Sequence, residues 1–428
     1  MTHSLLSPRP GALALLAVLV LAPFAGAQQV GELGDKEQQA LGKTLNKFIS
    51  PKSDKEKEKA KAELVSSLEK IGKKRGAKET QDALIAALSL PGDLGRVLFH
   101  SVEYKSSLRG GKPISEELES LKSSKTTYQL SLPSTYRAGA APLPLILAIP
   151  EFKDGKVLSP AEFLTAQLTD QEFREGAAIA AVPMPASVAN WNTLGEDNLG
   201  GVGMVMRTWG DVISKVGIDA DRVYLFGRGT DAVAAAMHVA ARYPHRFAGV
   251  IGMSGDAAGD VAATNFRNLP TFFVGAGGNA TAFEAKCKEA GYENCTLKAD
   301  GTAADVWSWI TKTTRVANPL KVSFMPGDPY PDRAYWVRIP ATDGLKTVVQ
   351  AEADRATNTL KLTVPDVRQV TVFLNSALVD FTKPVQIEIN GKTRTERIVP
   401  SVDDMLQLLS TSDNGRVYVT HRTFEVTP

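Results

Sequence analysis

Cysteine and histidine are scarce in this chain: two and five residues respectively among 428. Two cysteines exclude a disulfide-built miniprotein and are too few for a cysteine-ligated structural zinc. The five histidines, His3, His100, His238, His245 and His421, show no metal-ligand spacing such as H-x3-H. An excess of one charge is also missing. With 49 Lys and Arg against 47 Asp and Glu the formal charge is +2, so no global field recruits nucleic acid or an anionic membrane. Long apolar runs are lacking too: the one from Gly11 to Leu21 is shorter than the roughly 20 residues a spanning helix needs. No fixed-period repeat is present. What remains is ordinary globular composition, 43% hydrophobic and 22% charged, which excludes disordered, collagenous and polytopic membrane classes and leaves apolar packing to build the core.

The short apolar run has a different meaning. Arg9 precedes it and Ala25-Gly26-Ala27 follows it, the layout of a cleaved secretory signal over residues 1–27. The mature chain is then expected to start at Gln28 and to be exported, to a periplasm or outside the cell. No cysteine near the cleavage position offers a lipid anchor.

Three regions follow by period. From residue 28 to 124 the chain is Lys/Glu-rich, with helical apolar faces at Leu41, Leu45, Phe48 and Ile49, at Leu64, Val65, Leu68 and Ile71, and at Leu84, Ile85 and Leu88. The run Lys52 to Lys61 alternates sign and reads as a solvated helix face. Residues 125–317 carry apolar runs such as PLPLILAIP, RVYLFG, FAGVIGMSG and LPTFFVGAG, separated by helix-like stretches. Strands apolar throughout and alternating with helices predict an α/β domain with a mostly parallel sheet covered on both faces. Residues 318–428 break into short alternating segments bounded by turn residues, including TLKLTVP and PVQIEING. They predict a β-sandwich, with one helix near Val402 to Leu409.

The stretch RVYLFGRGTDAVAAAMHVAARYPHRFAGVIGMSG resembles the heart of an α/β-hydrolase: strand, sharp turn, alanine-rich helix, a Tyr-Pro-x-Arg-Phe-Ala-Gly phrase, next strand. More narrowly it is similar to the secreted group containing feruloyl esterases, polyhydroxybutyrate depolymerases and prolyl-oligopeptidase-like hydrolases. The resemblance covers about Lys125 to Thr314 and implies an esterase- or peptidase-type fold. In that family a serine at the centre of G-x-S-x-G is lifted above the sheet by a strained strand-to-helix turn. Here the phrase reads Gly227-Arg228-Gly229-Thr230-Asp231, and Gly229 at the serine position has no nucleophilic atom.

The other parts of the family's machinery are also vacant. Its acid follows the next strand, where this chain has Phe273 to Asn279 without a carboxylate. Its histidine precedes an aromatic helix, where Ala299 to Trp307 contains none. Its oxyanion strand ends in H-G-G, where this chain has Ile149-Pro150-Glu151, and Pro150 has no N–H to offer a developing charge. Since triad members act as a unit, loss of the serine alone removes most of the rate.

The expectation is therefore an exported hydrolase fold without hydrolase chemistry, acting in binding or scaffolding toward a protein, glycan or small-ester ligand. The enzyme alternative is a displaced nucleophile, Asp231 or Ser254. Against Asp231 stands its reading as a carboxylate at a helix N-terminus, where the dipole favours it. Against Ser254 stands its reading as a turn residue at a strand end. Trp191, in a long polar loop, is the candidate for lining a residual cleft. No cofactor is expected, because Gly275-Ala276-Gly277-Gly278 lacks both the lysine of a phosphate loop and the G-x-G-x-x-G spacing. Cys287 and Cys295 are expected to pair in an oxidising compartment, a link worth about 2–3 kcal/mol. Asn279 and Asn294 stand in glycosylation sequons.

Overall fold

The computed structural model describes residues 33–119, 125–153, 156–184, 200–327, 332–340, 346–413 and 415–426. The expected signal segment and Trp191 lie outside them.

Four helices come first: α1 Asp35–Ile49, α2 Asp54–Lys74, α3 Thr80–Leu88 and α4 Pro91–His100. The Ser53 hydroxyl accepts the Glu56 N–H at 3.2 Å and so starts α2. The alternating Lys/Glu run is the largely exposed first half of that helix. Pro91 starts α4 from its first position, where a missing N–H costs nothing. Leu41, Leu45, Leu64, Leu68, Ile71, Ile85 and Leu88 are buried, whereas Ile49 is 47% exposed. Helices α2 and α3 touch backbone to backbone at Gly72, where a Cβ would fall 1.8 Å from the Ala83 carbonyl oxygen.

An α/β-hydrolase-like domain follows. Its strands are β1 Ile114–Glu119, β2 Lys125–Ser131, β3 Leu143–Ile149, β6 Ala178–Ala181, β7 Ile218–Arg228, β8 Gly249–Met253, β9 Thr271–Val274 and β10 Cys295–Lys298, with a separate hairpin of β4 Phe152–Lys153 and β5 Lys156–Val157. The sheet order is β1-β2-β6-β3-β7-β8-β9-β10. The β1–β2 and β2–β6 pairings are antiparallel, so β2 alone opposes the others, and the remaining pairings are parallel. Alternate residues of the central strands serve opposite faces. Ile146, Ala148, Tyr224, Phe226 and Ile251 pack under α5 Pro160–Ala166, α6 Gln171–Gly176 and α10 Ala303–Lys312. Leu145, Leu147, Leu225 and Val250 pack under α7 Gly200–Lys215, α8 Thr230–Arg242 and α9 Gly278–Glu289.

The sheet starts earlier than residue 125, because β1 is one of its strands. Its sequence, ISEELE, holds a strand through tertiary contacts: Glu116 is buried and accepts Lys105 Nζ at 2.7 Å and Lys215 Nζ at 2.8 Å. Burial raises its carboxyl pKa, but the two ammonium partners outweigh that and hold it below its ordinary value.

The C-terminal region is a β-sandwich. One sheet contains β11 Lys321–Phe324, β14 Val349–Asp354, β15 Thr359–Thr363, β17 Val385–Ile389 and β18 Lys392–Glu396. The other contains β12 Arg333–Ala334, β13 Val337–Arg338, β16 Gln369–Leu374 and β19 Thr420–Glu425. All pairings are antiparallel except β15 with β17. The helix α11 Val402–Gln407 precedes β19. The N-terminal helices share this sandwich's core: Leu64, Leu68, Leu94 and Val97 belong to one apolar cluster with Met405, Leu408 and Val417. Lys61 pairs with Asp403 at 2.7 Å, and Ser376 Oγ donates to the Ser89 carbonyl at 2.8 Å.

Candidate functional site

The turn from β7 into α8 is where the fold places a hydrolase nucleophile. Gly229 N–H donates to the Met253 carbonyl at 3.0 Å, and the Gly229 carbonyl accepts Val233 N–H at 3.0 Å, opening the helix. The turn is packed glycine against backbone. A Cβ at Gly227 would lie 2.5 Å from Ala232 C, and one at Gly255 would lie 2.3 Å from Gly229 C. Gly229 has φ +83° and ψ 156°, a region open essentially to glycine alone.

The space above Gly229 belongs to a carboxylate. A Cβ there would stand 3.1 Å from Glu151 Oε2 and 3.4 Å from Glu151 Cβ. Glu151 is held by Gln167 Nε2, which donates to Oε1 at 2.7 Å. Gln167 Oε1 in turn accepts Arg228 Nη1 at 3.1 Å. Two charge-assisted hydrogen bonds thus link Glu151, Gln167 at the end of α5, and Arg228, the last residue of β7. Glu151 follows Pro150 at the end of β3, where the sequence resemblance leads one to expect an oxyanion loop. In the sequence that segment registers as a missing motif, and nothing in it signals a plug, because the partner Gln167 lies on another element.

The acid position is also taken up by a structural contact. Gly275 has φ +62°, and a Cβ at Gly277 would lie 2.7 Å from Asp256 Oδ2. The Asp256 carboxylate accepts N–H groups of Asn279 at 3.0 Å, Ala280 at 2.9 Å and Ala257 at 2.9 Å. Burial pushes this carboxyl up, but the N–H bonds prevail and lower it, as expected for a carboxylate capping the start of α9.

Of the two displaced-nucleophile candidates, Asp231 is an exposed first-turn residue of α8. Ser254 is exposed at the carboxyl end of β8 with φ +51°. Its N–H donates to the Val274 carbonyl at 2.9 Å. The one His–carboxylate pair among the described residues joins His238 Nε2 to Asp260 Oδ1 at 3.2 Å and includes neither candidate. His245 is buried far from solvent, and burial together with Arg333, Arg246, Arg416 and Arg315 pushes its pKa well down. Among the described residues no group of three His, Cys, Asp or Glu side chains is placed to hold a metal ion.

The expected Cys287–Cys295 disulfide is corrected: both are free thiols. Cys287 lies inward on α9 among the core residues Ala280 and Phe283, and the β9–β10 register opposes Cys295 to Thr271. Packing and strand pairing set the two positions independently of any bond. Burial, with a smaller push from Cys295, raises the Cys287 thiol to about 12. Asn279 is exposed at the start of α9, while the Asn294 amide donates to the Phe266 and Arg267 carbonyls at 2.7 and 3.2 Å.

No protein-family model matches this chain. No curated protein matches it either. Solved structures similar to part of it include a thermostable esterase, with 15% identity and TM-score 0.36 over 47% of this chain and 63% of that one. An S-formylglutathione hydrolase from Agrobacterium tumefaciens has 14% identity and TM-score 0.35 over 49% and 96%. A ferulic acid esterase has 13% identity and TM-score 0.37 over 48% and 95%. This chain therefore spans less than two thirds of the esterase's length, and about half of this chain has no counterpart in these proteins.

Proposed function

We propose that this chain is an exported α/β-hydrolase-fold protein that has given up hydrolysis at the elbow and works by binding or scaffolding, toward a protein, glycan or small-ester ligand. One observation carries the reading: the residue at the elbow is a glycine in a glycine-only backbone region, roofed by Glu151, whose Oε2 would stand 3.1 Å from a Cβ there. A covalent route needs an oxygen or sulfur at that point and room for a carbonyl beside it. Gly229 supplies no such atom, and the Glu151 carboxylate stands close above it. The test is turnover of a panel of short-chain aryl esters by the mature protein and by its Gly229→Ser variant. Both are expected to be inactive, because a serine there inherits the strained backbone and the carboxylate above it. Turnover by the unmodified protein, abolished by a point change in the cleft, overturns the proposal.

A second reading is favoured by the backbone of Ser254. Its positive φ and exposure at a parallel strand's carboxyl end are features of a presented nucleophile. Under it, Ser254→Ala abolishes turnover and Gly229→Ser leaves turnover unchanged.

A further inference from the structure

The contact between the hydrolase-like domain and the sandwich contains an unusual excess of buried positive charge. Arg315, just after α10, is 4% exposed and fully engaged. It donates to Asp413 Oδ2 and Oδ1 at 2.7 and 2.9 Å, to Asp221 Oδ1 at 2.6 Å and to the His245 carbonyl at 3.0 Å. Arg416, wholly buried, reaches the same Asp413 through Nη2 at 2.9 Å. Arg246 Nη1 stands 3.8 Å from it. Arg333, 8% exposed, donates to the Tyr335 and Thr411 carbonyls. Among the described residues, Arg315, Arg416 and Arg246 thus approach two carboxylates, Asp413 and Asp221, and Arg333 is paired with neither. Asp219 and Arg222, flanking Asp221 on β7, add one charge of each sign.

Neutralisation by proton loss does not resolve this. Burial and the neighbouring guanidinium groups pull Arg246 down to about 10 and Arg333 to about 9, and both still carry charge at neutral pH. Buried charge without a partner is among the most expensive features a fold can hold. The polar groups left over gather in this cluster: the donors Arg416 Nε and Nη1 and Tyr418 Oη, and His245 Nδ1, are buried without a hydrogen-bond partner among the described residues. The Arg416 and Arg333 guanidinium groups lie 5.4 and 5.6 Å from the Tyr418 ring centroid. All four arginines act electrostatically on His245.

We infer that this inter-domain cluster is a binding site for a small monovalent inorganic anion of halide size, with Arg416 Nε and Nη1 as principal donors and the Tyr418 hydroxyl and His245 Nδ1 beside them. A halide suits these groups because it accepts from several directions at once, and because Arg416, Tyr418 and His245 are all buried. The anion would tie β7 and the turn after α8 to the strand and loop carrying Arg333 and Arg416.

The test uses the full chain, first dialysed into gluconate. Urea unfolding is followed as bromide replaces gluconate at constant ionic strength. A ligand that binds only the folded state raises the folding constant in proportion to its concentration once the site fills. Each tenfold rise in bromide is therefore expected to raise that constant up to tenfold, and Arg416→Gln and Tyr418→Phe to flatten the dependence. Should Arg416→Gln fail to fold, Tyr418→Phe and crystals of the unmodified protein grown in bromide still decide: an anomalous peak is expected beside Arg416. Unfolding identical in bromide and gluconate, or a bromide dependence with no peak in the cluster, overturns the inference.

Discussion

Placing a methyl group at the elbow is the sharpest perturbation the structure offers. Gly229→Ala carries a backbone term and a contact term. At φ +83° and ψ 156° a residue with a Cβ sits in a glycine-only region, which costs about 1–3 kcal/mol. The contact term is smaller: at 3.1 Å from Oε2, Glu151 has to retreat by a few tenths of an ångström against its 2.7 Å bond from Gln167. Alanine's more restricted unfolded chain returns about 0.4–1 kcal/mol. The expected net loss is about 1–2 kcal/mol. Urea unfolding reads it as a lower midpoint at unchanged slope, with Trp307 and Trp309 as reporters, packed against Phe173 of α6 and the strand residues Tyr224 and Phe272. The double variant with Glu151→Ala removes only the contact term, so a coupling below about 1 kcal/mol is expected. If Gly229→Ala unfolds within about 0.5 kcal/mol of the parent, the turn relaxes freely and the argument that the elbow is committed to glycine fails.

Three further outcomes follow from the packing. Asp413→Asn leaves Arg315 and Arg416 facing a neutral group and is expected to lose about 3–5 kcal/mol at neutral pH. Burial raises the Asp413 carboxyl, but Arg315 and Arg416 outweigh it and hold it well below the carboxylate range. Its stabilisation is therefore full above the unfolded value of about 4 and fades as pH falls toward the folded one. The gap between parent and variant should narrow below about pH 4 in melting curves, and a constant gap contradicts this. Gly72→Ala drives a methyl group to 1.8 Å from the Ala83 carbonyl and should cost about 1–3 kcal/mol despite alanine's better helix propensity, read by urea midpoint. Leu68→Ala, at a buried position shared by the helices and the sandwich, should cost about 2–5 kcal/mol. It should also raise amide exchange in β16 and α11, whereas exchange confined to α1–α4 would show that the two regions do not share a core.

Much of the central domain is legible because its signals are local. The apolar runs at Leu143–Ile149, Gly249–Met253 and Thr271–Val274 are strands, and the alanine-rich stretch is α8, two residues longer at its start than its apolar pattern indicates. Strand β1 is hidden, since ISEELE has neither strand propensity nor alternation. It is a strand only because Lys105 and Lys215 neutralise Glu116 and because it pairs with β2. The docking of the N-terminal helices on the sandwich is equally hidden. Amphipathic faces announce that something covers them, but not which of two later domains does.

The site divides in the same way. The vacancy at Gly229 can be read from one residue in a motif, whereas its roof cannot. Glu151, Gln167 and Arg228 come from three separate elements, and only the sheet order brings β3 beside β7. Asp256 as the cap of α9 and the arginine cluster across the domain contact are long-range in the same sense. The cysteine pair shows the converse failure. Short spacing and an expected export favour a bond, yet core packing on α9 and the β9–β10 register place the thiols separately.

Whether a nucleophile operates at the elbow or beside it is read by incubating the protein with a fluorophosphonate serine probe in excess. Intact-mass measurement then shows whether an adduct forms, and peptide mapping shows where. The account predicts the unmodified mass alone. A stoichiometric adduct on Ser254, or on any other hydroxyl above the sheet, would contradict it.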